Sequence, residues 1–197
     1  TGLPNRTLFL DRMHQTIESA RRHQRKAAVL FIDLDNFKRI NDSLGHSFGD
    51  EILKITADRL RHCARTCDAV MGPWREVSAA RLGGDEFTIL LSEIDAADNC
   101  TLVAQRILQA FIEPMRLQDD EVIMTPSIGI ATFPEDGDDV QTLLKNADLA
   151  MYFAKHTGPN SFQYHRDSMN ASTLQRITLE KKLRMAIARD EFTLHYQ

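Results

Sequence analysis

Four acidic residues stand where carboxylates could do chemistry: Asp33 and Asp35, directly after the apolar run Ala28–Ile32 (AVLFI), and Asp85 and Glu86, directly after Gly83 and Gly84 in RLGGDEF. A carboxylate at the end of a buried strand is costly unless it is paired or bound to a cation. Two acid groups from separate elements are a usual supply for Mg²⁺, which takes oxygen ligands and keeps part of its water. Such ions serve phosphoryl and nucleotidyl transfer, where the attacking and leaving oxygens must be held together. Asp35 has a plainer use as the N-cap of a helix beginning near Asn36. For Asp33, metal ligation is favoured over the same capping role.

The elements that must position these acids can be read from the periodicity. AVLFI is an unbroken apolar run, expected of a central strand covered on both faces. Runs 77–82 and 87–91 flank Gly-Gly, a hairpin signal. Helices are expected over 4–24, with Asn5 or Pro4 at its start, and over 36–44, 48–64, 98–111, 140–156 and 169–188. Strands are expected over 122–133, 161–164 and 192–196, with Pro126 marking a bulge or an edge. Residues 67–78, which include Gly72-Pro73 and Trp74, read as a surface loop or extended hairpin. The order suits an α+β domain with a mostly antiparallel central sheet flanked by helices and the acids at a β-hairpin.

The 197 residues allow one domain, or one domain plus a fragment. A net charge of −4 leaves no broad basic footprint, so nucleic acid is not an expected partner. The three cysteines, Cys63, Cys67 and Cys100, form no paired framework and suit a reducing compartment, the cytoplasm. Cys63, Cys67 and His62 lack the further ligands of a zinc site. No apolar run approaches the roughly 20 residues needed to span a bilayer, and no stretch of the given residues reads as a signal peptide. Both ends of the chain read as cut from a longer protein, and a membrane tether elsewhere in that parent is compatible with this reading.

FIDLDNFKRINDSLGHSFGDEIL, RLGGDEF, SIGIATFPEDG and ADLAMYFAKHTGPN, in this order and after an opening TGLPNR, resemble the GGDEF family of diguanylate cyclases over residues 1–165. The resemblance implies a palm-like nucleotidyl-cyclase fold and the condensation of two GTP into cyclic di-GMP and pyrophosphate across a homodimer, with Mg²⁺, or Mn²⁺ in its place. It implies that Asp33, Asp85 and the Leu34 carbonyl hold the metal. Glu86 would assist the metal or the 3′-hydroxyl as a catalytic group beside Asp85. The backbone N–H groups of Phe37 and Lys38 would cradle phosphates, Asn41 and Asp50 would read the guanine edge, and Lys155 would contact the terminal phosphates. An amide and a carboxylate do match guanine's acceptor and donor groups, and a helix start suits phosphate.

Three departures bear on activity. Pro159 stands in AKHTGPN where the family usually carries a phosphate-binding arginine, a loss of about 1.5–3 kcal/mol of charge-assisted bonding. Arg65 and Asp68 fit the R-x-x-D product-inhibition motif in letters, but lie farther upstream of the hairpin than usual because 69–80 is expanded. Residues 179–197 are similar to the opening of an EAL phosphodiesterase domain. Residues 166–197 are therefore expected to be a connector helix and the start of such a domain. The alternative to an active cyclase is a GTP-binding regulatory module for an attached phosphodiesterase.

Overall fold

The computed structural model describes residues 1–71, 77–94, 97–117 and 120–170, with side chains other than those of 66–71 and 97–98. The chain divides into two compact units, Thr1–His165 and Arg166–Gln197. Of the loop expected over 67–78, residues 67–71 instead continue a helix and 77–78 begin a strand; residues 72–76, and nearly all of the connector and EAL-like start, lie outside the described residues.

In chain order the elements are α1 (Arg6–His23), β1 (Lys26–Leu34), α2 (Phe37–Leu44), α3 (His46–Met71), β2 (Val77–Gly83), β3 (Glu86–Ile94), α4 (Ala97–Ala110), β4 (Met115–Leu117), β5 (Asp120–Val122), β6 (Pro126–Phe133), α5 (Val140–Thr157) and β7 (Ser161–Tyr164). Five strands form one sheet in the order β2-β3-β1-β6-β7, and β4 and β5 form a separate two-stranded hairpin. The β2–β3, β3–β1 and β1–β6 pairs are antiparallel, and β6–β7 is parallel. The fold is the expected α+β class with a mostly antiparallel sheet.

β1 is the centre because its sequence allows it to be buried on both faces. Ala28, Leu30, Ile32 and Leu34 pack with Ile52, Leu53, Ala57 and Leu60 of α3 and with Val103, Ala104 and Ile107 of α4. Ala27, Val29 and Phe31 pack on the opposite face with Phe9, Met13 and Ile17 of α1 and Leu143, Ala147 and Met151 of α5. Period-two alternation thus sends the even and odd positions of one apolar run into two cores. α1 starts as its sequence predicts: Asn5 is the N-cap, accepting from the Leu8 N–H at 3.0 Å.

Two expectations are corrected here. The single strand expected over 122–133 is interrupted at 123–125, so that 120–122 pairs with β4 while 126–133 joins the main sheet. Pro126 marks neither an edge nor a bulge. It is the first residue of the interior strand β6, opposite Leu34, a position where a missing N–H is tolerated.

α5 lies unusually close to β6, at Gly129. A Cβ there would stand 1.9 Å from the Ala147 carbonyl oxygen and 2.1 Å from the Met151 nitrogen. This approach sets the depth at which α5 carries Lys155 toward the sheet. Gly129→Ala is expected to lower the free energy of unfolding by about 1–3 kcal/mol in a denaturant titration, because a backbone-to-backbone contact cannot relax as a side chain can. An unchanged midpoint would mean that α5 can lift off the sheet without cost.

Candidate active site

β1 runs on past its expected end, and Asp33 is inside the strand rather than beyond it. Its neighbours across the sheet are Glu86 on β3 and Ser127 on β6. The turn between β2 and β3 is Gly84–Asp85, with Gly83 and Glu86 paired on either side. Gly84 takes φ +50, the positive value that a type II′ hairpin turn needs at its first central residue. Tight turning therefore falls to Gly84, and Asp85 and Glu86 emerge from it beside Asp33.

Asp33 is a carboxylate with little water, its side chain 12% exposed. The Lys155 ammonium reaches Oδ1 at 2.6 Å as an ion pair. The approach is poorly directed, and Oδ1 is a buried oxygen that accepts no well-formed hydrogen bond. Burial pushes the Asp33 carboxyl up to about 6, reinforced by the charges of Asp85 and Glu86 and opposed by Lys155. Glu86 is also raised, first by burial and then by Asp148 and Asp85, with Arg6 and Lys155 opposing. Asp148, two helical turns before Lys155 on α5, is raised by burial and steadied by Lys155. The site is thus a group of mutually repelling acids with one close ammonium. Among the described residues no three His, Cys, Asp or Glu side chains stand together as a metal cage.

Asp35 does not cap α2. The N-cap is Asn36, at φ +60 and with no side-chain cap bond. Asp35 instead accepts from Thr125 Oγ1 and Ser127 Oγ, each at 2.7 Å, and from the Asn160 N–H at 3.3 Å. It ties the start of β6 and the turn after α5 to the end of β1, which is possible because β1 ends two residues later than its apolar run suggests. Phe37 is buried and Lys38 exposed at the start of α2. Asn41 lies against Gly49, where a Cβ would stand 1.8 Å from Asn41 Oδ1. That oxygen is buried and without a hydrogen-bond partner. Asp50, next in the chain to Gly49, is exposed. Arg65 is exposed and lies, like Asp68, within α3; the Asp68 side chain is outside the described residues. Pro159 is exposed, in the bend between α5 and β7.

Three residues of this site escape a reading of the sequence alone. Asp148 and Arg6 come near Glu86 only through folding. Arg81 donates from Nε and Nη2 to the Gly84 carbonyl at 2.9 and 2.7 Å. Only the adjacency of Arg81 to the glycine pair could have drawn notice to it.

Residues 1–161 match the model of the "Diguanylate cyclase, GGDEF domain" family, and the chain belongs to that family. It is 42% identical over 197 residues to the "Bifunctional diguanylate cyclase/cyclic di-GMP phosphodiesterase MucR" of Pseudomonas aeruginosa, covering 100% of this chain and 27% of that protein. It is 39% identical over 197 residues to the "Cyclic di-GMP phosphodiesterase NbdA" of the same organism, covering 100% of this chain and 24% of that one. The crystal structure of the GGDEF domain of TpbB, also from P. aeruginosa, superposes with a TM-score of 0.77 at 38% identity, covering 84% of this chain and 98% of that one. The chain therefore spans about a quarter of the length of the two curated relatives.

The raised Asp33 has a thermodynamic consequence. Its value of about 6 in the folded protein lies above its ordinary 3.8, so the folded state holds the proton more tightly. The associated stability is full below about pH 4 and is lost as pH rises through 6. Asp33→Asn in metal-free buffer is expected to stabilise the protein at pH 8 by about 1–2 kcal/mol, the shift discounted for solvent screening. Thermal melts of both proteins should converge below pH 4. A variant less stable than the parent at pH 8 would contradict the assigned strain.

Proposed function

We propose that this chain is a diguanylate cyclase domain that condenses two GTP into cyclic di-GMP and two pyrophosphates, working as a homodimer. The observation that carries the reading is the placement of Asp33, Asp85 and Glu86 together at one end of the sheet, with Lys155 as their near cation.

The donor set fits Mg²⁺, or Mn²⁺ in its place. Asp33 Oδ1 is a buried oxygen met by the Lys155 ammonium, and the acids repel one another in a way a divalent cation would relieve. Asp33, Asp85 and the Leu34 carbonyl would hold it. When bound, the metal would supply charge neutralisation at the phosphates and lower the pKa of a nearby hydroxyl.

The other steps fall to this chain's own side chains. Glu86, raised by its surroundings, is suited to accept the proton of a 3′-hydroxyl. That oxygen attacks the α-phosphorus of the second nucleotide, and pyrophosphate departs. The Phe37 and Lys38 N–H groups, at a helix start that lacks a side-chain cap, would receive phosphate oxygens. Asn41 would turn its unpartnered oxygen to the guanine edge, with Asp50 alongside. Lys155, pairing with Asp33 in the metal-free protein, would move to the terminal phosphates once the acids are neutralised. Two-fold symmetry of the product matches a two-fold dimer, each subunit presenting one GTP. Arg65 and Asp68 are proposed to receive cyclic di-GMP in product inhibition. The solved GGDEF domain of DgcB from Caulobacter crescentus, 25% identical, is in complex with c-di-GMP.

A second reading is favoured by Pro159 and by a relative named as a phosphodiesterase: a GTP-binding module that regulates an attached phosphodiesterase domain and condenses nothing. Product analysis after incubation with GTP and Mg²⁺ across a series of protein concentrations separates the two. Cyclic di-GMP rising more than linearly with protein is expected; GTP bound but recovered intact at every concentration would establish the second reading. Asp85→Ala should abolish turnover in the same assay while leaving the fold intact. Pro159→Arg should tighten GTP binding about tenfold or more, the value of one charge-assisted phosphate contact; unchanged affinity would mean that residue 159 does not face the phosphates.

A further inference from the structure

The turn that carries two of the acids has little to hold it. Gly83 and Gly84 have nothing within 4 Å of the place where a Cβ would stand, so that side of each residue is open. The β2–β3 register shifts between Arg81 and Gly83, so the ladder is interrupted just before the turn. Glycine pairs also carry the largest backbone entropy to be lost on ordering. Against this stands one directed restraint. The Arg81 guanidinium donates twice, from Nε at 2.9 Å and from Nη2 at 2.7 Å, to the carbonyl of Gly84. The same residue's backbone N–H donates to the Pro4 carbonyl at 3.0 Å, which fixes the base of the fork to the segment entering α1.

We infer that Arg81 is a positioning residue for the acid turn: by folding its guanidinium back onto Gly84 it sets where Asp85 and Glu86 stand relative to Asp33. The Gly84 carbonyl belongs to the peptide that leads into Asp85, so moving it moves the first of the two acids. Arginine suits the task because its planar fork presents two N–H groups to one acceptor in a fixed geometry; a lysine ammonium on a flexible stem does not reproduce this. The geometry stands by itself, and its effect on rate rests on the proposed cyclase activity.

Arg81→Lys and Arg81→Ala in the full chain test it, with four readouts: thermal midpoint, NMR order parameters of the Gly84–Glu86 amides, Mn²⁺ affinity by electron paramagnetic resonance, and kcat and KM for GTP. Both variants should keep the parent's midpoint. The turn amides should fall from near the rigid value of about 0.85 toward the flexible range below about 0.6. Mn²⁺ affinity and kcat should each drop about tenfold or more while KM stays within about threefold, and lysine should not rescue. A raised KM with kcat preserved would overturn the inference by making Arg81 a nucleotide contact. Unchanged order parameters and Mn²⁺ affinity would overturn it outright. If the parent makes no product but the variants still loosen the turn and weaken Mn²⁺ binding, the cyclase reading fails and the positioning role stands. If the parent is active and none of the readouts moves, the reverse holds.

Discussion

The constraint on which the rest of this structure depends is the placing of a carboxylate in a dry position beside others of the same sign. Asp33 lies inside the central strand, opposite Glu86, with its carboxyl raised to about 6. A folded protein tolerates such an arrangement when the surrounding elements over-determine it. Here they do so from several sides. Gly129 lets α5 settle on the sheet, which brings Lys155 within 2.6 Å of Asp33. Asp35 binds the start of β6 and the bend at Asn160, which holds the open end of the sheet. Arg81 closes the hairpin from which the other acids emerge. Each device is a local bond or a close approach, and together they keep repelling charges in one place. Stability is given up at the site to keep these acids together.

How much of this could be read from the residues differs by element. The central strand was legible because an apolar run of five residues has few other uses in a chain of this composition. The helices were legible because their apolar positions keep the helical period, as in Leu143, Ala147, Ala150 and Ala154 of α5. The β4–β5 hairpin was not, because its strands have three residues each, too few to show a period. Pro126 misled because proline is usually excluded from interior strands, whereas here it occupies the first position, before the ladder demands its N–H.

The site divides in the same way. Asp33, Asp85 and Glu86 were visible as acids at strand ends and in a turn, and the family motifs named their expected partners. Asp35 was misjudged because capping is a local rule, and its bonds to Thr125, Ser127 and Asn160 join residues about a hundred positions apart. Asp148 and Arg6 act on Glu86 through space, and nothing local marks them. Local chemistry therefore marked acids that the fold brings together. What holds them in place came only from the three-dimensional structure.

The most direct test of the account is the titration of Asp33 itself, followed by carboxyl-carbon NMR with Asp33→Asn to assign the signal, first without metal and then with Mg²⁺ and a non-reacting GTP analogue. The account predicts an apparent pKa near 6 in the metal-free protein, falling well below the ordinary carboxylate range when metal and nucleotide are added. A value at the ordinary 3.8, unmoved by either addition, would contradict it.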